Sequence, residues 1–196
     1  MHKKLVVISA AAVIIFSGII SCSQNNEQKI NNNDDIQVFS KEQVDHGRYL
    51  VTIMGCNDCH TPLKMGPTGP EPDMDHFLGG HPANFPMPAV DTNAIKNWVL
   101  FTHTNTAIAG PWGISFTANI SSDSTGIGSW SLPQFKKALK EGKYMGIDNT
   151  RPLLPPMPWR NYRDIKDEDI RDIFAFLKST KPVHNIVPAA IINTRH

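Results

Sequence analysis

The sequence predicts a mainly α domain over residues 40–185, with a long irregular segment and a small β-hairpin inserted between its helices. Three observations predict it. An amphipathic stretch opens the region just after Ser40, a second closes it before Pro182, and the chain between them is broken by prolines and glycines that leave room for one further helix. Of the 196 residues, 40% are hydrophobic and the formal net charge is +1. That suits one ordinary core and gives no bulk electrostatic ground for binding nucleic acid.

Ahead of the domain, Lys3 and Lys4 precede an apolar run from Leu5 to Ile20, the charged and hydrophobic regions of an export signal. The run is shorter than the roughly 20 residues that span a bilayer comfortably, so a permanent span is the alternative. Ile19-Ile20-Ser21-Cys22 resembles the bacterial lipobox, in which the cysteine is lipidated and becomes the first mature residue. On that resemblance residues 1–21 are a lipoprotein signal peptide and Cys22 is an anchor; the alternative is an unmodified cysteine beside an ordinary cleavage site. The expected location is therefore a bacterial membrane surface, facing the periplasm or the cell exterior. Residues 22–39 are rich in Asn, Gln, Asp and Ser with almost nothing to bury, and predict a flexible tether.

Ser40 with Gln43 three residues later offers an N-cap and a capping-box partner, and Val44, Tyr49, Leu50 and Ile53 recur at helical spacing. A helix over about 41–54 follows, and Gly47 inside it predicts close approach of another helix there. Thr61 to Pro88 is dense in proline and glycine and reads as a loop with little regular structure. Trp98-Val99-Leu100-Phe101 and Gly113-Ile114-Ser115-Phe116 flank a Gly110-Pro111 turn and predict the hairpin. A third helix is capped by Ser131, carries Phe135, Ala138 and Leu139 on one face and ends near Gly142. Lys136, Lys140 and Lys143 lie along its other side and read as a solvated face, with docking of an acidic partner the alternative. The last helix has Asp167, Glu168 and Asp169 in its first turn and Ile170, Ile173, Phe174 and Leu177 on one stripe. Residues 186–196 are expected to be a C-terminal tail.

The first helix leads directly into Cys56-Asn57-Asp58-Cys59-His60. Two thiols two residues apart, followed at once by histidine, are the attachment signature of one covalent haem c, with Cys56 and Cys59 forming thioethers and His60 the proximal iron ligand. A zinc site would need more ligands, and Cys22 is the only other cysteine. A thioredoxin-like pair would sit in a βαβ unit, which this region does not resemble.

The sixth iron ligand decides what such a haem does: methionine favours electron transfer, whereas an open or displaceable position favours a small-ligand sensor or a haem enzyme. Met157 stands in Pro155-Pro156-Met157-Pro158, where fixed backbone torsions aim its sulfur with little entropy left to lose, and it is the expected distal ligand. Met87, between Pro86 and Pro88, and the histidines His76, His81 and His103 are its rivals. Trp112, Trp130 and Trp159 are candidates to donate an indole N–H to a haem propionate, with core packing the alternative.

Several segments carry a family resemblance. Asn119-Ile120-Ser121-Ser122-Asp123, Gly126-Ile127-Gly128-Ser129-Trp130, Phe135, Ala138-Leu139, Gly142, Pro156-Met157-Pro158, Tyr162 and Asp167-Glu168-Asp169 resemble the cytochrome c domains of dehydrogenase-associated subunits, including those of membrane alcohol dehydrogenases. The resemblance covers most of residues 41–188. It implies a class I cytochrome c fold with the terminal helices crossing beside the haem, and Met157 as axial ligand. It also implies a non-enzymatic electron carrier with a dehydrogenase or oxidase as redox partner. Such subunits often hold several haem domains, and the single Cys-x-x-Cys-His here matches one of them.

Overall fold

Helices at the two ends of the domain pack against each other in a computed structural model that describes residues 38–192. The expected leader 1–21, Cys22, and all but the last two residues of the expected tether lie outside the described residues, as do residues 193–196. Among the described residues there are four α-helices and two small antiparallel sheets. No helix among them is long and apolar enough to cross a membrane.

Helix α1 spans Lys41–Ile53 and starts as its sequence requires. Ser40 accepts from the Gln43 amide while the Gln43 side chain accepts from the Ser40 amide, so two of the helix's orphan donors are satisfied reciprocally. Phe39 sits edge-on to Phe174, with ring centres 6.1 Å apart, so the ordered domain begins slightly before the cap. Helix α2 is the single turn Cys56–His60. Helix α3, Leu132–Glu141, is capped by Ser131 and released by Gly142 in the left-handed region at φ +66°. Helix α4, Asp167–Ser179, carries Asp167, Glu168 and Asp169 where the helix dipole favours negative charge, and ends before Pro182. Lys136 and Lys140 of α3 both reach Asp167, and Lys140 also donates to the Ile165 carbonyl at 2.9 Å. Two of the three lysines of the α3 stripe therefore tie one helix to the next.

The core is formed chiefly by helical residues: Val51 of α1, Phe135 and Leu139 of α3, Ile170, Ile173, Phe174, Phe176 and Leu177 of α4, with Leu78 and Ile127 from loops. It lies where α1, α3 and α4 meet. Burying such side chains contributes about 1.5–3 kcal/mol each before entropy is subtracted.

The connecting region has more strand than expected, which corrects the sequence reading at two places. Strands β1, Leu63–Gly66, and β2, Gly69–Pro72, form an antiparallel ribbon inside the segment predicted to be irregular. Its prolines are tolerated because each strand of a two-stranded ribbon has an open edge, where a missing N–H breaks no ladder bond. The second sheet has the order β3-β4-β5-β6, with β3 at Leu100–Phe101, β4 at Ala107–Gly110, β5 at Gly113–Phe116 and β6 at Ile191–Ile192. The hairpin is thus β4 with β5 around Pro111-Trp112; the segment expected to be its first strand supplies only the short edge strand β3. A two-residue turn must join strands that flank it directly, and Gly113 at φ +112° supplies the backbone this turn needs. Ile191–Ile192, in the expected tail, pair with Gly113–Ile114.

Candidate functional site

Gly55, at φ +67°, breaks the chain between α1 and α2 and starts the turn that carries the motif. Positions 56 and 59 are three apart on a helical turn, so both sulfurs face one side. Both cysteines are free thiols and half-buried. Burial pushes the Cys56 thiol up to about 11 and also raises that of Cys59. Both sulfurs therefore stay protonated at neutral pH. Among the described residues no group of three or more His, Cys, Asp or Glu stands in metal-ligating reach. The pair lacks the further ligands of a zinc site there.

His60 ends the turn, and its Nδ1 lies 2.7 Å from the Ala118 carbonyl oxygen. A carbonyl can only accept, so Nδ1 carries the hydrogen and the neutral ring keeps its lone pair on Nε2. This is the second-contact arrangement by which a ligating histidine is oriented. Burial lowers the imidazole's pKa from its ordinary value and the Ala118 bond works against that. The main chain fixes the same region: the Gly80 amide donates to the His60 carbonyl at 2.8 Å and the Ile120 amide to the Leu78 carbonyl at 2.9 Å.

Asn119 secures the stretch that bears Ala118. Its buried amide donates to the carbonyls of Val183 at 2.7 Å and Asn185 at 3.3 Å, while its Oδ1 accepts from the amide and hydroxyl of Ser121. Replacing Asn119 with alanine strands these partners and is expected to cost about 2–3 kcal/mol, read as a lower urea midpoint. An unchanged midpoint would deny the anchor.

Opposite in sequence, the run Pro152 to Met157, with Trp159 and Arg160, lines a cleft of about 380 Å³. Its lining is apolar except for Arg160. Met157 and Cys56 both pack against the same helical core cluster, as do Tyr162 and Leu50. The Tyr162 hydroxyl is raised in pKa by burial first and then by the neighbouring Cys56 and Cys59, which puts the tyrosine beside the motif. A half-buried thioether, two protonated thiols on one side of a turn, and an imidazole with Nε2 free form a donor set that fits a covalently held haem.

The rivals of Met157 have other surroundings. Met87 is 37% exposed and outside the cluster. His76 bonds Asp73 at 2.6 Å. His81 is buried, with Nδ1 2.9 Å from the Thr106 hydroxyl and its ring against Phe85 and Phe116. The ring of His103 lies 5.4 Å from that of Phe85. Of the tryptophans, Trp112 already donates its indole N–H to the Ser115 hydroxyl at 3.3 Å. Trp130 packs on the core. Trp159 is buried, with the guanidiniums of Arg160 and Arg163 about its ring at 4.8 and 5.0 Å. Ala118 and Arg160 had no signal in the sequence: the first acts through a backbone oxygen, and the second is one arginine among many.

No family model matches the chain. Three relatives, however, are cytochrome or dehydrogenase subunits. The gluconate 2-dehydrogenase cytochrome c subunit of Pantoea cypripedii is 33% identical over 151 residues, 76% of this chain and 25% of that protein. A nicotinate dehydrogenase subunit of Pseudomonas putida is 29% identical over 152 residues, 77% of this chain and 10% of that protein. The fructose dehydrogenase cytochrome subunit of Gluconobacter japonicus is 28% identical over 145 residues, 73% of this chain and 22% of that protein. The chain therefore spans between a tenth and a quarter of the length of these relatives.

Proposed function

We propose, from the premise that this chain resembles the cytochrome c domains of dehydrogenase-associated subunits, that it is a membrane-anchored single-haem cytochrome carrying electrons one at a time between redox proteins. The observation that carries the reading is the bond from His60 Nδ1 to the Ala118 carbonyl, which leaves Nε2 free beside two unpaired thiols. In this reading the domain has the class I cytochrome c arrangement, with α1 and α4 as its crossing terminal helices.

Cys56 and Cys59 would hold the haem covalently, with His60 and Met157 as the side chains that would ligate its iron. Bound there, a haem c supplies a single-electron couple whose potential a soft sulfur ligand raises. The chain's own residues do the rest. Ala118 keeps the imidazole in one tautomer and one orientation, the core cluster packs against the Met157 side chain, and the prolines around Met157 limit how far its sulfur can swing. No substrate bond is made or broken, so the chain needs no nucleophile or general base and acts as a non-catalytic partner. Lipidated Cys22 holds the protein at a bacterial membrane, facing the periplasm or the exterior. The partner is a dehydrogenase or an oxidase; the relatives' names favour the first.

The absorption spectrum of the oxidised, haem-loaded protein tests the ligand pair. A weak far-red sulfur-to-iron band is expected in the parent, absent from Met157→Ala, with carbon monoxide binding to the reduced variant at least ten times faster. A parent without the band, or with fast carbon monoxide binding of its own, would replace the electron carrier with a ligand sensor or haem enzyme.

A further inference from the structure

The loop that bears Met157 is poor at holding itself. Pro152, Pro155, Pro156 and Pro158 each lack an N–H, so four of the seven residues from 152 to 158 offer no backbone donor. The Leu153 amide donates to the Gly142 carbonyl at 2.7 Å and ties down the loop's start. The Met157 amide turns inward to the Leu154 carbonyl at 3.2 Å, a bond that shapes the loop without fastening it to anything. Among the described residues, the hydrogen bond entering Leu154–Met157 from elsewhere comes from Ser115, whose Oγ lies 2.6 Å from the Pro155 carbonyl oxygen.

Ser115 is well placed to be rigid. It lies in β5, which is paired on both sides, and its side chain is 6% exposed. Its hydroxyl has one hydrogen to give and two acceptor lone pairs. The Pro155 oxygen at 2.6 Å outcompetes the Ile108 oxygen at 3.3 Å for that hydrogen, and Trp112 Nε1, 3.3 Å away, donates into a lone pair. A relay results, from the Trp112 N–H to the Ser115 hydroxyl to the Pro155 carbonyl. Trp112 is held in turn by its hairpin, its ring lying over Gly110, where a Cβ would come within 2.5 Å of it.

We infer that Ser115, oriented by Trp112, is the positioning residue that clamps the Pro155-Pro156-Met157 loop to the sheet and so keeps the Met157 sulfur on the iron. The inference rests on the assignment of Met157 as distal ligand. It adds what that assignment lacks, a fixed point two residues from the sulfur. A sulfur–iron bond is displaceable, so loosening the loop raises the rate at which the sulfur leaves rather than abolishing the bond.

The test uses the full haem-loaded chain as parent, Ser115→Ala, Ser115→Thr and Trp112→Phe, with three readouts. These are the far-red band, the carbon monoxide binding rate of the reduced protein, and hydrogen–deuterium exchange of the peptide spanning 153–161. Removing the hydroxyl in Ser115→Ala is expected to speed carbon monoxide binding about tenfold, the scale of one hydrogen bond, with a weaker band and faster exchange. Ser115→Thr keeps the hydroxyl and restores all three, and Trp112→Phe gives a two- to threefold effect. Parent-like rates and exchange in Ser115→Ala overturn the clamp, as does a Ser115→Thr that behaves like the alanine variant. If Ser115→Ala does not fold, Trp112→Phe decides, and a rate equal to the parent's overturns the relay. A parent without the far-red band removes Met157 as ligand, and exchange alone then decides whether Ser115 holds the loop.

Discussion

Alanine at position 47 is expected to destabilise the domain by about 3 kcal/mol or more, although on an isolated helix the same change is favourable by about 1 kcal/mol. The reason is distance. A Cβ built at Gly47 falls 1.8 Å from the Asp172 carbonyl oxygen, 2.5 Å from its carbon and 2.9 Å from the Cβ of Phe176. Two of these are backbone atoms of α4 that no rotamer change can move aside. To admit the methyl, α1 must lift from α4, which opens the packing of Val51 against the α4 face and pulls His46 from Asp172, now bonded at 2.8 Å. Overpacking of a well-filled interface costs about 1–3 kcal/mol, and a clash with main chain lies at or beyond the top of that range. Against a total stability of about 5–15 kcal/mol, that is a large share. Urea unfolding followed by far-ultraviolet circular dichroism should show a midpoint lowered by more than about 1 M, at about 1–3 kcal/mol per molar urea. A midpoint equal to the parent's would show that the two helices do not meet at Gly47.

That glycine illustrates which parts of the molecule could be read before its structure. An interior glycine in an amphipathic helix is costly unless something approaches it, so the sequence itself pointed to a contact, though not to Asp172 as the partner. Helix starts were equally legible, because Ser40 with Gln43, and Ser131, satisfy orphan amides through local side chains. Sheet partners were not. Ala107-Ile108-Ala109-Gly110 has little of the β-branched or aromatic character that marks a strand, whereas the exposed run Trp98 to Phe101 has much of it. Register and burial, which are long-range, chose the first. The motif Cys56–His60 stands out in the sequence because its residue types and spacing are specific. Its support does not, since Ala118 serves through a carbonyl that every residue possesses. The Ser115 bond to Pro155 spans 40 residues and leaves no periodic trace.

Removing both thiols, in Cys56→Ala with Cys59→Ala, is expected to have the largest chemical effect: haem that stays with the denatured parent chain leaves the variant completely. Each thioether would arise by net addition of S–H across a vinyl group, sulfur bonding one carbon and hydrogen the other, so the reaction has no leaving group and needs two unpaired thiols on one side of the backbone. Both conditions are met: Cys56 and Cys59 are free, and the three-residue spacing on α2 aims the sulfurs together. Denaturing gel electrophoresis with a stain for haem peroxidase activity separates the outcomes. Haem should stay with the parent and with either single variant, each of which retains one thioether, and vanish from the double variant. A parent that loses its haem under the same conditions would leave His60 as a ligand without covalent attachment. The thiols would then need another role, and a disulfide between Cys56 and Cys59 would be the first to examine by alkylation and mass measurement.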